Sequence, residues 1–420
     1  MMKLLKLVLA ASAVLAAADP ISRRLLVSTT NPIRARTAQD SGDVPDLHPA
    51  GDPTVIADHG EYLSATTYQN RENSTGVLVV YRVRDEAEDT TKIAAAVTMD
   101  RGELWKDHGE VHVEEDAQQD LRWPTAVQFP SGKILVAYWQ QTTDPGDGSK
   151  EDLIITDRIA FSSSTDYGYT WDDLDPVERK HDGDDGEPEN LDLFSPYLWL
   201  SRDGTVQLYY AEGKRGDVLT RSISMMWSDD EGESWKPRDD DSHIVAHDKK
   251  ALNDRPRVLG WGDDVFCVFD SQETHPGSDG GTFFNTASAN IVKSSDNGNT
   301  WEDAQELITA TDDRSVGYPH LVNVNGTLIL TAMTNLAYGE DGYGDKSMNV
   351  ADLSLHISGD AGQTWVEHTA DGDVAALERD ITNPFVHFLG AEKGEPNEVL
   401  LLWTALGDDK TAMSAKYELR

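Results

Sequence analysis

The chain lacks what a disulfide-stapled, nucleic-acid-binding or membrane-spanning protein needs. It has one cysteine in 420 residues, so no internal disulfide can form and stability must come from burying apolar surface, which this length allows. That cysteine, Cys267, sits in the apolar run Val265-Phe-Cys-Val-Phe269 and reads as a core residue, not a nucleophile. Basic residues are scarce: 36 Lys and Arg face 75 Asp and Glu, a formal net charge of −39. Such a field repels phosphate backbones and anionic bilayers, so neither nucleic acid nor membrane is an expected partner. Helical periodicity is missing, and no stretch reaches the roughly 20 apolar residues that cross a bilayer. No recognisable metal-ligand spacing or phosphate-binding glycine loop occurs, so no metal and no cofactor is expected. The acidic clusters Asp144-Pro-Gly-Asp-Gly148 and His181-Asp-Gly-Asp-Asp-Gly186 do not fit a calcium-loop spacing and read as solvated loops.

The first residues carry the marks of an export signal. Lys3 and Lys6 precede and enter the apolar run Leu4 to Leu15, and Ala16-Ala17-Ala18 supplies small residues for cleavage. Residues 1–18 are therefore read as a signal peptide, 19–46 as a linker or removable pro-segment, and 47–420 as one domain of a secreted, monomeric protein. The sequons Asn73-Ser-Thr75 and Asn325-Gly-Thr327 are compatible with that route.

What is present is an octapeptide, five times over: Thr98-Met-Asp-Arg-Gly-Glu-Leu-Trp105, Ser164-Thr-Asp-Tyr-Gly-Tyr-Thr-Trp171, Ser228-Asp-Asp-Glu-Gly-Glu-Ser-Trp235, Ser294-Ser-Asp-Asn-Gly-Asn-Thr-Trp301 and Ser358-Gly-Asp-Ala-Gly-Gln-Thr-Trp365. Their tryptophans are separated by 66, 64, 66 and 64 residues. A fixed period of this kind marks a repeat architecture. The hydroxyl and Asp side chains suit a tight turn, the Gly permits positive φ, and the Trp is a large plug for the space between neighbouring sheets.

A second landmark runs in phase with the first. Prolines open short apolar strands at Asp52-Pro53, Trp123-Pro124, Ser195-Pro196, Arg255-Pro256, Tyr318-Pro319 and Asn383-Pro384. A longer returning strand follows in most units, and a third runs into the octapeptide. Six such sheets predict a β-propeller. The sixth unit ends before an octapeptide, so a strand from about residues 50–70 is expected to complete it and close the ring. For unit 1, either Thr54–Ala57 or the stretch 62–69 could supply the inner strand.

The octapeptides resemble the Asp-box, or bacterial neuraminidase repeat, and the layout is similar to the six-bladed propellers of the sialidase superfamily. The first box departs from the pattern, with Thr98 for Ser and Leu104 for the second hydroxyl. The resemblance implies that the boxes face away from the active site. It also implies three arginines gripping a substrate carboxylate, one of them in an Arg-Ile-Pro segment where this chain has Gly51-Asp-Pro53. The segment from Ser195 through Tyr209-Tyr210 to Glu212 instead resembles the fungal exo-arabinanase branch of this architecture.

The strand pattern itself locates a mouth opposite the boxes. Residues before the prolines and at the ends of the returning strands converge there. The candidate catalytic residues are Glu212, Asp270, Glu273 and Tyr318, because glycoside hydrolysis uses two carboxyl groups or a tyrosine nucleophile with an acidic helper. The candidate substrate-binding residues are Arg122, Trp123, Arg255, Asn383 and Asp85. The expected function is exo-acting glycoside hydrolysis of a glycan or plant polysaccharide, exo-arabinanase-like. The alternatives are an exo-α-sialidase with a rearranged arginine set and a non-catalytic carbohydrate- or protein-binding propeller.

Overall fold

In the computed structural model, the described residues are 34–35, 45–85, 90–116, 118–144, 154–182, 188–214, 221–237, 243–245, 251–276, 282–309, 316–334, 352–368, 381–390, 397–406 and 410–420. Every regular element among them is a strand, and the strands form six small antiparallel sheets. The first consists of Gly60–Gln69, Thr75–Asp85, Thr90–Thr98 and Lys106–Glu114 in chain order. The inner strands of the other five are Gln119–Gln128, Pro188–Leu200, Ala251–Trp261, Val316–Val324 and Ile381–Gly390. Each inner strand touches the next, and the last touches the first, so the sheets form the six blades of a propeller.

Strands buried on both faces read as continuous apolar runs, and the alternation of side chains sends successive residues to opposite neighbours. In blade 2, Ile134, Val136 and Tyr138 pack toward blade 1, whereas Leu135 and Ala137 pack toward blade 3. The core is accordingly six apolar clusters, one between each adjacent pair of blades, including the pair formed by the sixth and the first. Burying each such aliphatic side chain contributes about 1.5–3 kcal/mol. Cys267 is part of this core, fully buried, with its thiol pushed up to about 12 by that burial.

The sixth blade has three strands from its own repeat, Ile381–Gly390, Asn397–Ala405 and Thr411–Leu419. Its outer edge is taken by Leu47–Pro49 and Thr54–Ala57, both antiparallel to Thr411–Leu419. Thr54–Ala57 is thus an outer strand of blade 6, and Gly60–Gln69 is the inner strand of blade 1. Arg34–Ala35, within the stretch read as a linker, pairs in parallel with Thr364–His368 on the edge of blade 5. The signal-peptide residues 1–18 lie outside the described residues.

The octapeptides form the turn after each third strand. In the second, the Ser164 hydroxyl donates to Asp166 at 2.9 Å and accepts from Gly168 N at 2.7 Å. Thr170 donates to Asp166 from both its backbone N and its hydroxyl, each at 2.8 Å. The fourth and fifth positions of all five copies have positive φ, as at Tyr167 and Gly168. Each tryptophan packs into the cluster between its own blade and the preceding one.

The prolines behave differently from the expectation. Five of the six do not open the inner strands but sit within them, just after a bulge, whereas Pro53 precedes the outer strand Thr54–Ala57. The register shifts between residues 61 and 64, 122 and 125, 194 and 197, 254 and 257, 317 and 320, and 382 and 385. A bulge takes a residue out of the ladder, so the missing proline N–H leaves no acceptor unmet.

Candidate functional site

The residue at the crest of each bulge is left-handed: Tyr62, Trp123, Ser195, Arg255, Tyr318 and Asn383 have φ of 54°, 49°, 49°, 55°, 53° and 54°. For bulky side chains this backbone costs on the order of 1–3 kcal/mol each, and such strain clusters at functional sites. Register places these residues at the end of the strands away from the octapeptides. In blade 2, Arg122 pairs with Trp139, whereas the octapeptide's Ser164 pairs with Ile134 at the other end.

Four of the six crests line one pocket. Tyr62, Trp123, Tyr318 and Asn383 line it together with Arg257, over a floor of Leu63, Pro124, Pro384 and Phe385, and the cavity between them is small, about 10 Å³, room for about one water. Tyr62 meets Trp123 edge-on at 5.8 Å, and Trp123 leans on Trp139 at 5.0 Å. Two buried polar atoms of this wall have no protein partner among the described residues, the donor Trp123 Nε1 and the acceptor Asn383 Oδ1. Buried polar atoms are nearly always bonded in native proteins, so these two are available to water or to a polar ligand, as are the Nε1 atoms of Trp139, Trp171 and Trp235 elsewhere.

Two ion clusters stand behind the pocket. In blades 1 and 2, Arg82 donates to Glu61 at 2.5 Å and to Asp120 at 2.6 Å, and Arg122 donates to the other oxygen of Asp120 at 2.7 Å. Across blades 3 to 5, Arg255 donates to Asp270 at 2.6 Å while its guanidinium lies 4.0 Å from the centre of the Tyr318 ring. Tyr318 N also points at Asp270, at 3.4 Å, and Arg221 donates to Asp254 at 2.5 Å. Asp254 and Asp270 face each other across two strands. Burial raises both carboxyls. In Asp254 the guanidinium groups of Arg221 and Arg255 outweigh it and hold the group below the usual range. In Asp270 burial prevails over Arg255, with the Asp254 charge adding to it, and the carboxyl is raised. Burial likewise raises the Tyr318 phenol, against the opposing field of Arg255.

Of the expected residues, Trp123, Tyr318 and Asn383 line the pocket, Arg255 and Asp270 lie behind Tyr318, and Arg122 lies beside it on Trp139. Glu212 is not among the lining residues. It is buried, and it accepts from the Ser224 hydroxyl at 2.5 Å and pairs with His243 at 3.1 Å. These partners belong to the third strand and the segment beyond it, so the carboxyl is held away from the axis. Asp85 is exposed at the end of Thr75–Asp85. Glu273 belongs to strand Asp264–Pro276, and its side chain lies outside the described residues.

Sequence reasoning missed Tyr62, whose follower is Leu63 where the other units have proline. Tyr62 lies 61 residues before Trp123, a few short of the octapeptide period, so counting back gives only its neighbourhood. It also missed Asp120 and Arg221, which no motif marks.

No protein-family model matches the chain, and no curated protein matches it. Solved structures do. A protein of unknown function from Dyadobacter fermentans has a TM-score of 0.63 at 15% identity, with 90% of this chain and 100% of that one covered. The Penicillium chrysogenum α-L-arabinanase, solved with arabinobiose, gives 0.54 at 17% identity, covering 89% and 97%. A Streptococcus pneumoniae sialidase gives 0.51 at 11%, covering 92% and 74%. At these identities the likeness establishes the fold, a six-bladed propeller shared with glycoside hydrolases of the sialidase and arabinanase type.

Proposed function

We propose that this protein is a secreted, exo-acting glycoside hydrolase that removes a terminal sugar from a glycan or plant polysaccharide. The observation that carries this reading is the pocket at the bulge crests, walled by Tyr62, Trp123 and Tyr318 and holding an open donor and an open acceptor. Aromatic faces cover the apolar side of a sugar ring, and the open atoms would meet its hydroxyls. A pocket, unlike a groove, takes a chain end, and with a cavity of about 10 Å³ the walls must part to admit one. Tyr318 is the candidate nucleophile, with Asp270 behind it as the acidic partner and Arg255 opposing the cost of a phenolate.

One observation favours the non-catalytic alternative. Asp254 and Asp270 are only 3% and 0% exposed and each is tied to an arginine, while Glu212 is engaged with Ser224 and His243. Opening by ligand would be needed to bring a carboxyl to a sugar.

The deciding experiment is release of product from aryl α-L-arabinofuranoside, aryl sialoside and linear arabinan by the wild type, Tyr318→Phe and Glu212→Gln. The hydrolase reading expects turnover of at least one substrate, a loss on the order of 10³-fold or more in Tyr318→Phe, and a folded Glu212→Gln that keeps its activity. Wild-type inactivity with sugar binding retained would establish a binder instead.

A further inference from the structure

One position of the octapeptides does not repeat. Their fourth residue is left-handed in every copy, yet it is Arg101, Tyr167, Glu231, Asn297 and Ala361 in turn. A long side chain there bridges to the preceding blade. Arg101 donates to the Leu389 and Gly390 carbonyls at 3.1 and 2.6 Å and to Glu398 at 2.6 Å, and Glu231 accepts from Ser131 at 3.1 Å. Asn297 is shorter. It donates to Asp203 at 3.3 Å, and beside it a cavity of about 430 Å³ lies open between blades 3 and 4. That space falls within the range of about 300–1,000 Å³ that small-ligand sites span, against about 10 Å³ at the mouth. Leu200 and Ser228 both pair with Val206, which puts the cavity at the octapeptide end of the blades.

One wall is the indole of Trp199, and a Cβ on Gly260 would lie 2.6 Å from its Cζ2, so a glycine is what lets the ring lie there. The rest of the rim includes Arg202, Asp203, Asp263, Asp264 and Asn297. Its charges are committed within the protein. Arg202 lies 4.0 Å from Asp263, Lys293 pairs with Asp264 at 2.8 Å, and Asp203 accepts from the Ser201 hydroxyl and from Thr205 N at 3.0 Å. Carboxylate lone pairs, an amide and guanidinium N–H groups beside an aromatic wall suit the hydroxyls and C–H face of a neutral sugar, not a second charge. We infer that this cavity is a second carbohydrate site, taking a segment of a neutral polysaccharide. The choice of ligand rests on the glycoside-hydrolase reading. Because the cavity opens away from the mouth, it takes no part in bond cleavage; it holds the protein on the polymer and raises the local concentration of chain ends.

The test is binding, which does not require turnover. Arabinohexaose, xylohexaose and cellohexaose are titrated calorimetrically into the wild type, Asn297→Arg and Asp263→Ala, with a glucosamine hexamer and hexagalacturonate as charged comparisons. Asn297→Arg copies Arg101, whose φ of 62° matches the 60° of Asn297, and Asp263 is exposed; thermal melts verify folding. At least one neutral hexasaccharide should bind, with affinity falling about tenfold or more in Asn297→Arg and about threefold or more in Asp263→Ala. No binding of any neutral hexasaccharide, tighter binding of either charged one, or undiminished affinity in either folded variant would overturn the inference. The two readings fail separately. Absence of turnover with Asn297-dependent binding intact sinks the hydrolase and leaves the second site standing, whereas turnover with affinity untouched by both variants does the reverse.

Discussion

The two ends of the propeller repeat in different ways. At the octapeptide end both backbone and side chains recur: Ser or Thr bonds the Asp, the Gly N–H returns to the hydroxyl, and the Trp fills the gap to the preceding blade. At the mouth only the backbone recurs. Six left-handed bulge crests carry Tyr62, Trp123, Ser195, Arg255, Tyr318 and Asn383, no two neighbouring blades alike. A position that repeats its side chain is solving a problem common to all blades. A position that repeats a strained backbone while varying its side chain presents different chemistry to a shared space. Where it repeats, the first end is therefore scaffold, and the second is the proposed active site.

The largest effect should come from breaking charge pairing at the mouth. Arg255→Met leaves Asp270, 0% exposed, without its cation. Removing one partner of a buried pair costs about 3–5 kcal/mol. Urea unfolding should give a loss of that size, and a loss below 1 kcal/mol would mean that the cluster behaves as a surface ion pair.

The scaffold end should lose less stability and no binding. A Cβ on Gly232, at φ 86°, would lie 2.5 Å from Leu135 Cδ2. Gly232→Ala should cost about 1–3 kcal/mol by denaturant melt, with sugar affinity at the mouth unchanged because that pocket is at the far end of the strands. An affinity change above about threefold would show that the two ends are mechanically linked.

The octapeptide aspartates should leave a mark on acid stability. Burial works to raise the Asp166 carboxyl, but bonds from Thr170, Ser164 and Tyr169 hold it down to about 2. A depressed carboxyl stabilises the fold above its unfolded value of about 3.9 and loses that contribution as pH falls toward 2. Asp166→Asn should cost about 1 kcal/mol or less at pH 7, given the group's solvent exposure. The difference from wild type should vanish near pH 2, as read from thermal melts across pH. A gap that persists unchanged to pH 2 would put the effect elsewhere.

The fold was legible because repetition averages out local noise: five octapeptides and five proline-bearing bulges give six blades even though the strand boundaries are not marked. The mouth was legible as a location but only partly as a set of contacts. Trp123, Tyr318 and Asn383 were found because they precede prolines. For Glu212, strand position says nothing about its engagement with Ser224 and His243 on the outer side. The pairing of Arg255 with Asp270, and the lack of any such partner for Arg257, depend on side chains from strands brought together by the ring, and nothing local in the chain records them.

The smallest expected effect repairs the imperfect copy. In the first octapeptide Asp100 receives the Thr98 hydroxyl at 2.7 Å and Leu104 N at 2.9 Å. The seventh side chain, Leu104, is 58% exposed and offers no hydroxyl. In all four other copies that hydroxyl donates to the second carboxylate oxygen, at 2.8, 2.5, 2.6 and 2.6 Å. Bonds from Thr98 and Leu104 lower the Asp100 carboxyl against the effect of burial, without such a hydroxyl among them. Leu104→Thr should add the missing donor, remove an exposed apolar side chain and stabilise by about 0.5 kcal/mol. Its more direct signature is a further fall in the Asp100 titration, followed by carboxyl-carbon NMR. If the titration does not move, the seventh position is not part of the turn's bonding in this copy, and blade 1 has settled on a different solution from the others.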